Sequence, residues 1–280
     1  MDNKLRVVFC AGMALLALGV FARADSRIEK RLKLEPGGKF SLESSGGDVI
    51  VRGGSSSGAQ VVITANRSDL SDLFEFSFDE EAGGVRIVAR RRGIMHWPNN
   101  LNLRFDVQVP TRTRLELRTG GGDIRASHLE GDAELHTSGG DVEVSELKGN
   151  LEVRTSGGDI RLRQLTGDVD VETAGGDVRA EDATGRVDVH TSGGDIEVSL
   201  ARGNSRGGQI ETSGGTIRVA IDPSVNLNLD ASASGGDLTT DLPLKVSGKL
   251  SHSSLRATLG SGGETLRLHT SGGDIHIRGL

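Results

Sequence analysis

The sequence is poor in aromatic residues and nearly free of cysteine. Its 280 residues include seven Phe, one Trp, no Tyr and one Cys. Large rings supply much of the buried area of an ordinary globular core, so this chain must bury smaller side chains in many places instead. Cys10 alone allows no intramolecular disulfide, and it excludes a cysteine cluster that binds metal.

Hydrophobic residues are also scarce, at 35% of the chain, against roughly 45–50% in average proteins. The Val, Ile and Leu that are present alternate with polar residues, which is not typical of a disordered chain. The 41 glycines are about twice the usual share, but they lack the triplet period of collagen. A net charge of −6 does not favour nucleic acid as a partner. The composition therefore predicts many short, stacked strands.

The N-terminus has the pattern of an export signal. Lys4 and Arg6 precede an apolar run from Val7 to Phe21, and Ala22-Arg23-Ala24 follows as an A-x-A cleavage site. The run is short for a membrane span, although an uncleaved anchor is the alternative. We predict a signal peptide over residues 1–24. The exported chain would have no transmembrane segment and would be periplasmic, secreted or on the cell surface.

A repeat runs through the second half of the chain. The Gly-Gly-Asp motif recurs with a constant 18-residue period, and its aspartates are Asp123, Asp141, Asp159, Asp177 and Asp195. Each repeat holds two alternating segments, which end at this motif on one side and at a single glycine on the other. Alternation indicates half-buried strands, and a fixed period indicates stacked units. The sequence therefore predicts an all-β fold, a parallel β-solenoid with 18-residue coils and interior aliphatic ladders.

The repeat becomes less regular at both ends. Beyond Asp195 the corresponding positions are Thr216, Asp237 and Asp274, and these longer, unequal intervals indicate insertions in the turns. Before residue 112 the chain has longer alternating strands and one isolated Gly46-Gly47-Asp48 motif. We predict that this section covers the open edge of the solenoid, as terminal caps do. The predicted organisation is a signal peptide (1–24), an N-terminal capping β section (25–112) and solenoid repeats (113–280).

These features carry a resemblance to a known family. Val109-Pro110 before Leu115-Glu116-Leu117, and the reiterated Thr-Ser-Gly-Gly-Asp-Ile/Val-x-Val, resemble the bacterial exported β-strand-repeat domains known as adhesin-like domains or domains of unknown function. The resemblance covers about residues 30–280. It implies an envelope-associated β-solenoid, a link to envelope-stress signalling in some members, and no catalytic residues.

The aspartate column has two interpretations. Like charges about 5 Å apart repel each other, so something must offset them. One candidate is calcium held between coils, as in the Gly-Gly-x-Gly-x-Asp roll, but the third glycine and the second aspartate of that motif are missing. The favoured interpretation is structural, with each aspartate capping amides of its own turn in an Asx-turn. We therefore predict no metal site and no cofactor.

Two outward columns bear on catalysis. One is acidic and consists of Glu116, Glu134, Glu152, Asp170 and Asp188. The next is mostly basic and consists of Arg118, His136, Arg154, Glu172 and His190. Paired carboxylates hydrolyse glycosides, so a β-helical carbohydrate-active enzyme is the first alternative function. No pair stands apart from the ladder, and opposite charges on neighbouring columns favour a solvated, neutralised face.

One segment is distinctive because it combines a basic run with the single tryptophan. It contains Arg90, Arg91, Arg92, His96 and Trp97. Tryptophan with arginine can hold an anionic sugar or an extended segment of a partner. Alternatively, Trp97 packs over the end of the stack as a lid.

The sequence thus favours a non-catalytic, exported envelope scaffold or adhesin-like binding module. Its expected partner is an unidentified protein or polysaccharide of the cell envelope. A calcium-binding β-roll is the third function considered.

Overall fold

The computed structural model describes residues 26–55, 57–81, 83–93, 101–246 and 251–280. Apart from the four-residue helix α1 (Leu70–Leu73), the regular elements of these residues are β-strands, which confirms the all-β prediction. The predicted signal peptide, His96 and Trp97 lie outside the described residues. In chain order the strands are β1 (Ser26–Leu32), β2 (Lys39–Ser44), β3 (Asp48–Gly54), β4 (Ala59–Ala65), β5 (Phe74–Glu81), β6 (Gly84–Arg91), β7 (Leu103–Pro110), β8 (Arg114–Thr119), β9 (Ile124–Glu130), β10 (Ala133–Thr137), β11 (Val142–Lys148), β12 (Leu151–Thr155), β13 (Ile160–Thr166), β14 (Val169–Thr173), β15 (Val178–Ala183), β16 (Val187–Thr191), β17 (Ile196–Leu200), β18 (Gly208–Thr212), β19 (Ile217–Ile221), β20 (Leu227–Ala233), β21 (Leu238–Thr240), β22 (Lys245–Val246), β23 (Ser254–Leu259), β24 (Thr265–Thr270) and β25 (Ile275–Gly279).

These strands form two long sheets. Sheet A has the order β1-β4-β7-β3-β9-β11-β13-β15-β17-β19-β25-β21, and sheet B has the order β22-β23-β20-β24-β18-β16-β14-β12-β10-β8-β2-β6-β5. Pairing is parallel throughout the middle of both sheets and antiparallel only near their ends. The two sheets together make a solenoid-like stack, as the alternation and the period predicted.

The middle of the stack is regular because identical columns lie on each other. From β8 to β16, each residue of sheet B pairs with its equivalent in the next repeat: Leu115 with Ala133, Ala133 with Leu151, Leu151 with Val169, and Val169 with Val187. Sheet A repeats the same offset from β9 to β17, except that a register shift pairs Ala183 with Leu200. The side chains of these columns are buried and form the predicted aliphatic ladders.

Sheet A also has a corner that simple alternation does not predict. His128, Glu146, Gln164 and Asp182 have positive φ angles of 54° to 59°, the left-handed region that L-residues seldom adopt. The bend turns the next residue inward, so that a third buried column lies beside the first two. It consists of Leu129, Leu147, Leu165 and Ala183.

The N-terminal end of the stack does not follow chain order. β2 and β3 form a coil that pairs with β8 and β9 on one side and with β6 and β7 on the other. The antiparallel strands β4, β1 and β5 lie beyond them. Phe74, Phe76 and Phe78 stack along β5, and the Lys30 ammonium lies 5.5 Å from the Phe78 ring centroid. Both sheets therefore run across residue 112, where the sequence changes character.

Chain order and spatial order also differ at the C-terminal end. β25 lies between β19 and β21, and β24 lies between β18 and β20. Thr216 is therefore followed in space by Asp274 and only then by Asp237, because Ile217 pairs with Ile275 and Ile275 pairs with Leu238. The irregular intervals in the sequence come from this rearranged order as well as from insertions.

Candidate ligand-binding site beside the glycine turns

The Gly-Gly-Asp turns lie in one row along an edge of the stack, and their second glycine is required by close packing. A Cβ atom added at Gly158 would overlap the carbonyl oxygen of Gly140 in the preceding coil and would lie 2.8 Å from the amide nitrogen of Asp141. The first glycine of the same turn, Gly157, has no atom within 4 Å of its added Cβ. The motif therefore contains one glycine that the stack requires and one that it does not.

The turn aspartates connect neighbouring coils through hydrogen bonds. The amide of each turn aspartate donates to the Oδ1 atom of the aspartate one coil before it, with N to O distances of 2.8 to 3.1 Å from Asp123 to Asp195. Thr216 continues this ladder by donating to Asp195 at 2.7 Å. These carboxylates accept amides of the next coil and not of their own turn, so the structure differs from the predicted Asx-turns.

Arginines of sheet A offset the repulsion between these carboxylates. Arg161 contacts the Oδ2 atoms of Asp141 at 3.3 Å and Asp159 at 3.0 Å, and Arg218 contacts Asp195 at 3.1 Å. The amide of Thr216, and after it the Arg218 guanidinium, hold the pKa of Asp195 below its ordinary value. Asp195 is therefore stabilised in its charged form.

The inward threonines bond to backbone groups and not to one another. The Thr137 hydroxyl donates to the carbonyl of Gly122 at 2.9 Å, and the amide of Gly140 donates to Thr137 at 3.3 Å. Thr212 and Thr270 repeat this arrangement. The inward threonines thus form a ladder of alternating hydroxyls and backbone groups.

A second ladder lies at the opposite, single-glycine turns. The amides of Asn150, Asp168 and Arg186 donate to Oδ1 atoms of Asp132, Asn150 and Asp168, at 2.8, 3.1 and 2.9 Å. The signal for this ladder was the Asp or Asn that follows three successive single glycines. This ladder was not predicted, because only the Gly-Gly-Asp column was interpreted as a turn column.

A groove of about 670 Å³ lies where the first Gly-Gly-Asp turns meet the start of β7. Its walls are mostly glycine backbone and short side chains: Ser45, Gly46, Gly47, Asp48, Leu101, Asn102, Leu103, Arg104, Gly120, Gly121 and Gly122. Arg104 is already occupied by a bidentate pair with Asp106, at 2.8 Å for each bond, and the guanidinium holds the pKa of Asp106 below its ordinary value. We call this the turn groove.

The predicted basic segment borders the turn groove. Arg90 and Arg91 end β6, and the amide of Arg91 donates to the hydroxyl of Ser45, a residue that lines the groove, at 3.1 Å. Arg90 and Arg92 are exposed and Arg91 is half-buried. Most other arginines of the described chain form ion pairs, but no described acidic group forms one with Arg90, Arg91 or Arg92, although Glu75 is the strand partner of Arg90. The basic segment therefore contacts the turn groove through the backbone of Arg91, whereas the Arg90 side chain lines a neighbouring groove that also contains Glu75 and Asp79.

The outward charges of sheet B neutralise each other, as their alternation in the sequence predicted. Arg154 contacts Glu152 at 2.9 Å and Glu172 at 3.4 Å, and Arg118 bridges Glu116 and Glu134. Lys39 contacts Glu116 at 2.5 Å and lowers the pKa of that carboxyl. Within the described residues Asp170 alone of the acidic column forms no ion pair, and its strand partner Asp188 contacts Arg186 at 2.8 Å.

Comparison with known proteins agrees with this geometry. A stack of two parallel sheets with glycine turns along one edge defines a class of β-repeat domains. The model of the Toastrack DUF4097 family matches residues 39–278, and the chain belongs to this family. No match was found among curated proteins.

Solved structures match the chain over most of its length at low sequence identity. A candidate adhesin from Bacteroides fragilis is 14% identical with a TM-score of 0.52, and the match covers 91% of this chain and 97% of that one. A candidate adhesin from Parabacteroides distasonis is 10% identical with a TM-score of 0.46, covering 91% and 97%. A candidate lipid binding protein from the same species is 13% identical with a TM-score of 0.43, covering 92% and 98%. Among the described residues, no helix has the length and apolar character that crossing a membrane requires.

Proposed function

We propose that this chain is an exported, non-catalytic binding module of the cell envelope that recognises an anionic partner. The binding surface is the turn groove together with the basic segment Arg90 to Trp97. The observation that carries the proposal is that Arg90, Arg91 and Arg92 form no ion pair within the described residues, while the Arg91 amide bonds to Ser45 of the turn groove. Cations that no acidic group neutralises attract negative charge. The partner is an anionic envelope polysaccharide or an acidic segment of an envelope protein.

Export and the adhesive role rest on the sequence and on the family. The signal pattern over residues 1–24 supports a periplasmic, secreted or surface location. The candidate adhesin from Bacteroides fragilis, which shares the fold, supports a binding role. A role in envelope-stress signalling is part of the proposal only through the family resemblance.

The alternatives receive less support from the geometry. Arginines contact Glu116, Glu134, Glu152 and Asp188 of the acidic column that a carbohydrate-active enzyme would use. Backbone amides occupy the Oδ1 atoms that a calcium roll would use.

We also propose that the 18-residue coil is the structural unit, with residues 25–112 as the cap and 113–280 as the repeat array.

The test is a binding measurement on the processed chain with two charge-matched triple variants. Arg90→Gln, Arg91→Gln and Arg92→Gln together remove the basic segment. Arg202→Gln, Arg206→Gln and Arg267→Gln remove three exposed arginines elsewhere. Retention on anionic and neutral envelope polysaccharides and on envelope extracts is compared at low and high salt.

We expect the first variant to lose retention and the control to keep it, with binding that weakens as salt rises. Equal retention by both variants contradicts the proposed surface.

Trp97→Ala separates the two roles of the tryptophan. Loss of binding at unchanged stability supports a contact residue, whereas destabilisation by about 3 kcal/mol or more with binding intact supports a lid.

A further inference from the structure

Each sheet ends in an edge strand at the N-terminal end of the stack. β1 is the outermost strand of sheet A and pairs with β4, while β5 is the outermost strand of sheet B and pairs with β6. Among the described residues, no strand pairs with the outer edge of either one. Each edge therefore presents a row of backbone amides and carbonyls to which another strand can bind.

The two edges are staggered by one strand. Beyond the coil of β8 and β9, the described chain adds four strands to sheet A (β3, β7, β4 and β1) and three to sheet B (β2, β6 and β5). β1 thus lies one strand spacing, about 4.8 Å, beyond β5. A second copy that places its β1 on β5 fills this step, and its own step receives β1 of the first copy. The end of the stack is therefore complementary to itself under a two-fold rotation.

The strand directions allow this rotation. Consecutive strands of one coil lie in opposite sheets, so the chain runs one way along sheet B and returns along sheet A. β1 runs with the middle strands of sheet A, because it is antiparallel to β4 and β4 is antiparallel to β7. β5 is antiparallel to β6 and so runs against the middle strands of sheet B. Hence β1 and β5 run in the same direction, and a two-fold axis parallel to the strands makes β1 of each copy the parallel neighbour of β5 of the other.

The same symmetry sets the register of the two strands. Rotation about an axis parallel to the strands does not change positions along them, so β1 meets β5 of the second copy at the level that it has beside β5 of its own chain. Two contacts give that level. The Lys30 ammonium lies 5.5 Å from the Phe78 ring centroid, and the Lys33 amide donates to Glu80 Oε1 at 2.9 Å. Position 30 therefore lies opposite position 78 across the interface.

In this register the outward side chains of the two strands have opposite charges. Arg31 and Asp79 are exposed, and in the described part of the chain neither forms an ion pair. Glu29 is the exception in the basic row, and it contacts Arg27 of its own strand. Opposite charges on directly paired strands stabilise a sheet. The pairs across the interface are Arg27 with Glu75, Arg31 with Asp79, and Lys33, which follows β1, with Glu81.

The open end also leaves inward side chains incompletely covered. Ile28, Phe76 and Phe78 pack against the core but are only partly buried. Lys30 faces the same interior, and an inward charge without a partner opposes edge pairing. In the register above, Glu80 of the second copy is the diagonal neighbour of Lys30, within reach of its long side chain. A second copy therefore covers the apolar residues and supplies a carboxylate to the ammonium.

The other two-fold arrangement, with β1 on β1 and β5 on β5, does not fit these features. It places the acidic row of β5, which includes Glu75, Asp79 and Glu81, beside the same row of the second copy. When the two β1 strands are in contact, the step between the sheets also leaves a gap of two strands between the β5 edges. We propose that two copies of this chain associate end to end, with β1 of each paired to β5 of the other, so that both sheets continue through the interface.

The test is the oligomeric state of the processed chain, measured by analytical ultracentrifugation over a range of concentrations. Arg31→Asp places two acidic groups opposite each other at both strand pairs, and Asp79→Arg places two basic groups there. Each variant alone should raise the dimer dissociation constant at least about tenfold. An equimolar mixture of the two variants should form dimers again, because each pair then joins one acid to one base.

Arg206→Asp is the control, because it changes the charge equally at an exposed position far from this end. It should form dimers as the original chain does, and circular dichroism checks that all variants are folded. Three results would overturn the proposal: an original chain that is monomeric at every concentration, Arg31→Asp that dimerises as tightly as the original chain, or a mixture that dimerises no better than either variant alone. Assembly into open polymers instead of dimers would overturn the two-fold arrangement.

Discussion

Alanine at Gly158 should damage the stack much more than alanine at the adjacent Gly157. Gly158 is buried, and its added Cβ would overlap the backbone of the preceding coil, where no flexible side chain can move aside. The coils would have to separate at this turn. That separation would strain the hydrogen bond from the Asp159 amide to Asp141, which is 2.9 Å long, and the bond from the Val142 amide to the Asp159 carbonyl, also 2.9 Å.

The expected cost combines steric strain with weakened hydrogen bonds. Overpacking a well-packed site costs about 1–3 kcal/mol, and each impaired hydrogen bond about 1 kcal/mol more. We therefore expect Gly158→Ala to lower the free energy of unfolding by about 3 kcal/mol. Gly157 is exposed with open space at its Cβ position, so Gly157→Ala should stay within about 0.5 kcal/mol of the original chain.

Urea unfolding followed by circular dichroism measures both variants under the same conditions. The two changes add the same methyl group one residue apart, so propensity and composition are matched. Similar unfolding midpoints for the two variants would refute the reasoning, because they would show that the coils are not in contact at the second glycine.

Two further predictions concern the corner of sheet A and the aspartate ladder. Gln164→Gly should raise the free energy of unfolding by about 0.5–1 kcal/mol, because φ of 55° costs an L-residue about 1–2 kcal/mol and the flexibility of glycine offsets only part of that gain. Arg163→Gly, at the adjacent residue, should be destabilising. If Arg163→Gly were stabilising, the positive φ assigned to Gln164 would not explain the effect. The lowered pKa of Asp195 means that its charge stabilises the fold fully above the unfolded pKa of about 3.9, and that this contribution is lost as pH falls through the lower folded pKa. Asp195→Asn removes the charge but keeps a side-chain oxygen that can accept the backbone amide, as Asn150 does. The difference in urea midpoint between this variant and the original chain should be largest near pH 7 and should vanish in acid. A difference that does not change with pH would contradict a charged Asp195 in the ladder.

The regular middle of the fold could be predicted because each local signal agrees with the stack. The columns that contain Val142, Ile160 and Val178 are apolar at every repeat, and they are buried where the alternation predicted. The glycine and aspartate of each turn are also repeated, so that period and burial follow from the same residues. The structure of such repeats can be predicted because the local sequence pattern and the global packing agree.

The corner of sheet A could not be predicted from alternation. Strict alternation places Leu129 and Leu147 outward, yet both are buried because His128 and Glu146 adopt positive φ. Histidine is enriched in that region but glutamate is not, so no residue preference recurs at every corner. The usable signal was the column itself, since leucine recurs at residues 129, 147 and 165.

The order of coils at the two ends could not be predicted either, because alternation does not specify which strand is the neighbour. Lys39 to Ser44 pairs with Arg114 to Thr119, although five other strands lie between them in the chain. Arg90 to Arg92 could be recognised as distinctive from composition, but the contact between the Arg91 amide and Ser45 of the turn groove required the fold.

The central claim is that the 18-residue coil is the repeating unit, and two deletions test it most directly. Deleting Asp141 to Gly158 removes one whole coil, joins Gly140 to Asp159, and lets β9 and β10 pair with β13 and β14 in register. Deleting Asp141 to Gly149 removes half a coil and places every later Gly-Gly-Asp turn beside a single-glycine turn.

Circular dichroism and thermal melting of the two processed chains give the measurement. We predict that the 18-residue deletion folds with a cooperative transition, because the stability of such stacks is approximately a sum over units and their interfaces. The nine-residue deletion should aggregate or lose its cooperative transition. Equal tolerance of both deletions, or greater damage from the 18-residue deletion, would contradict the account.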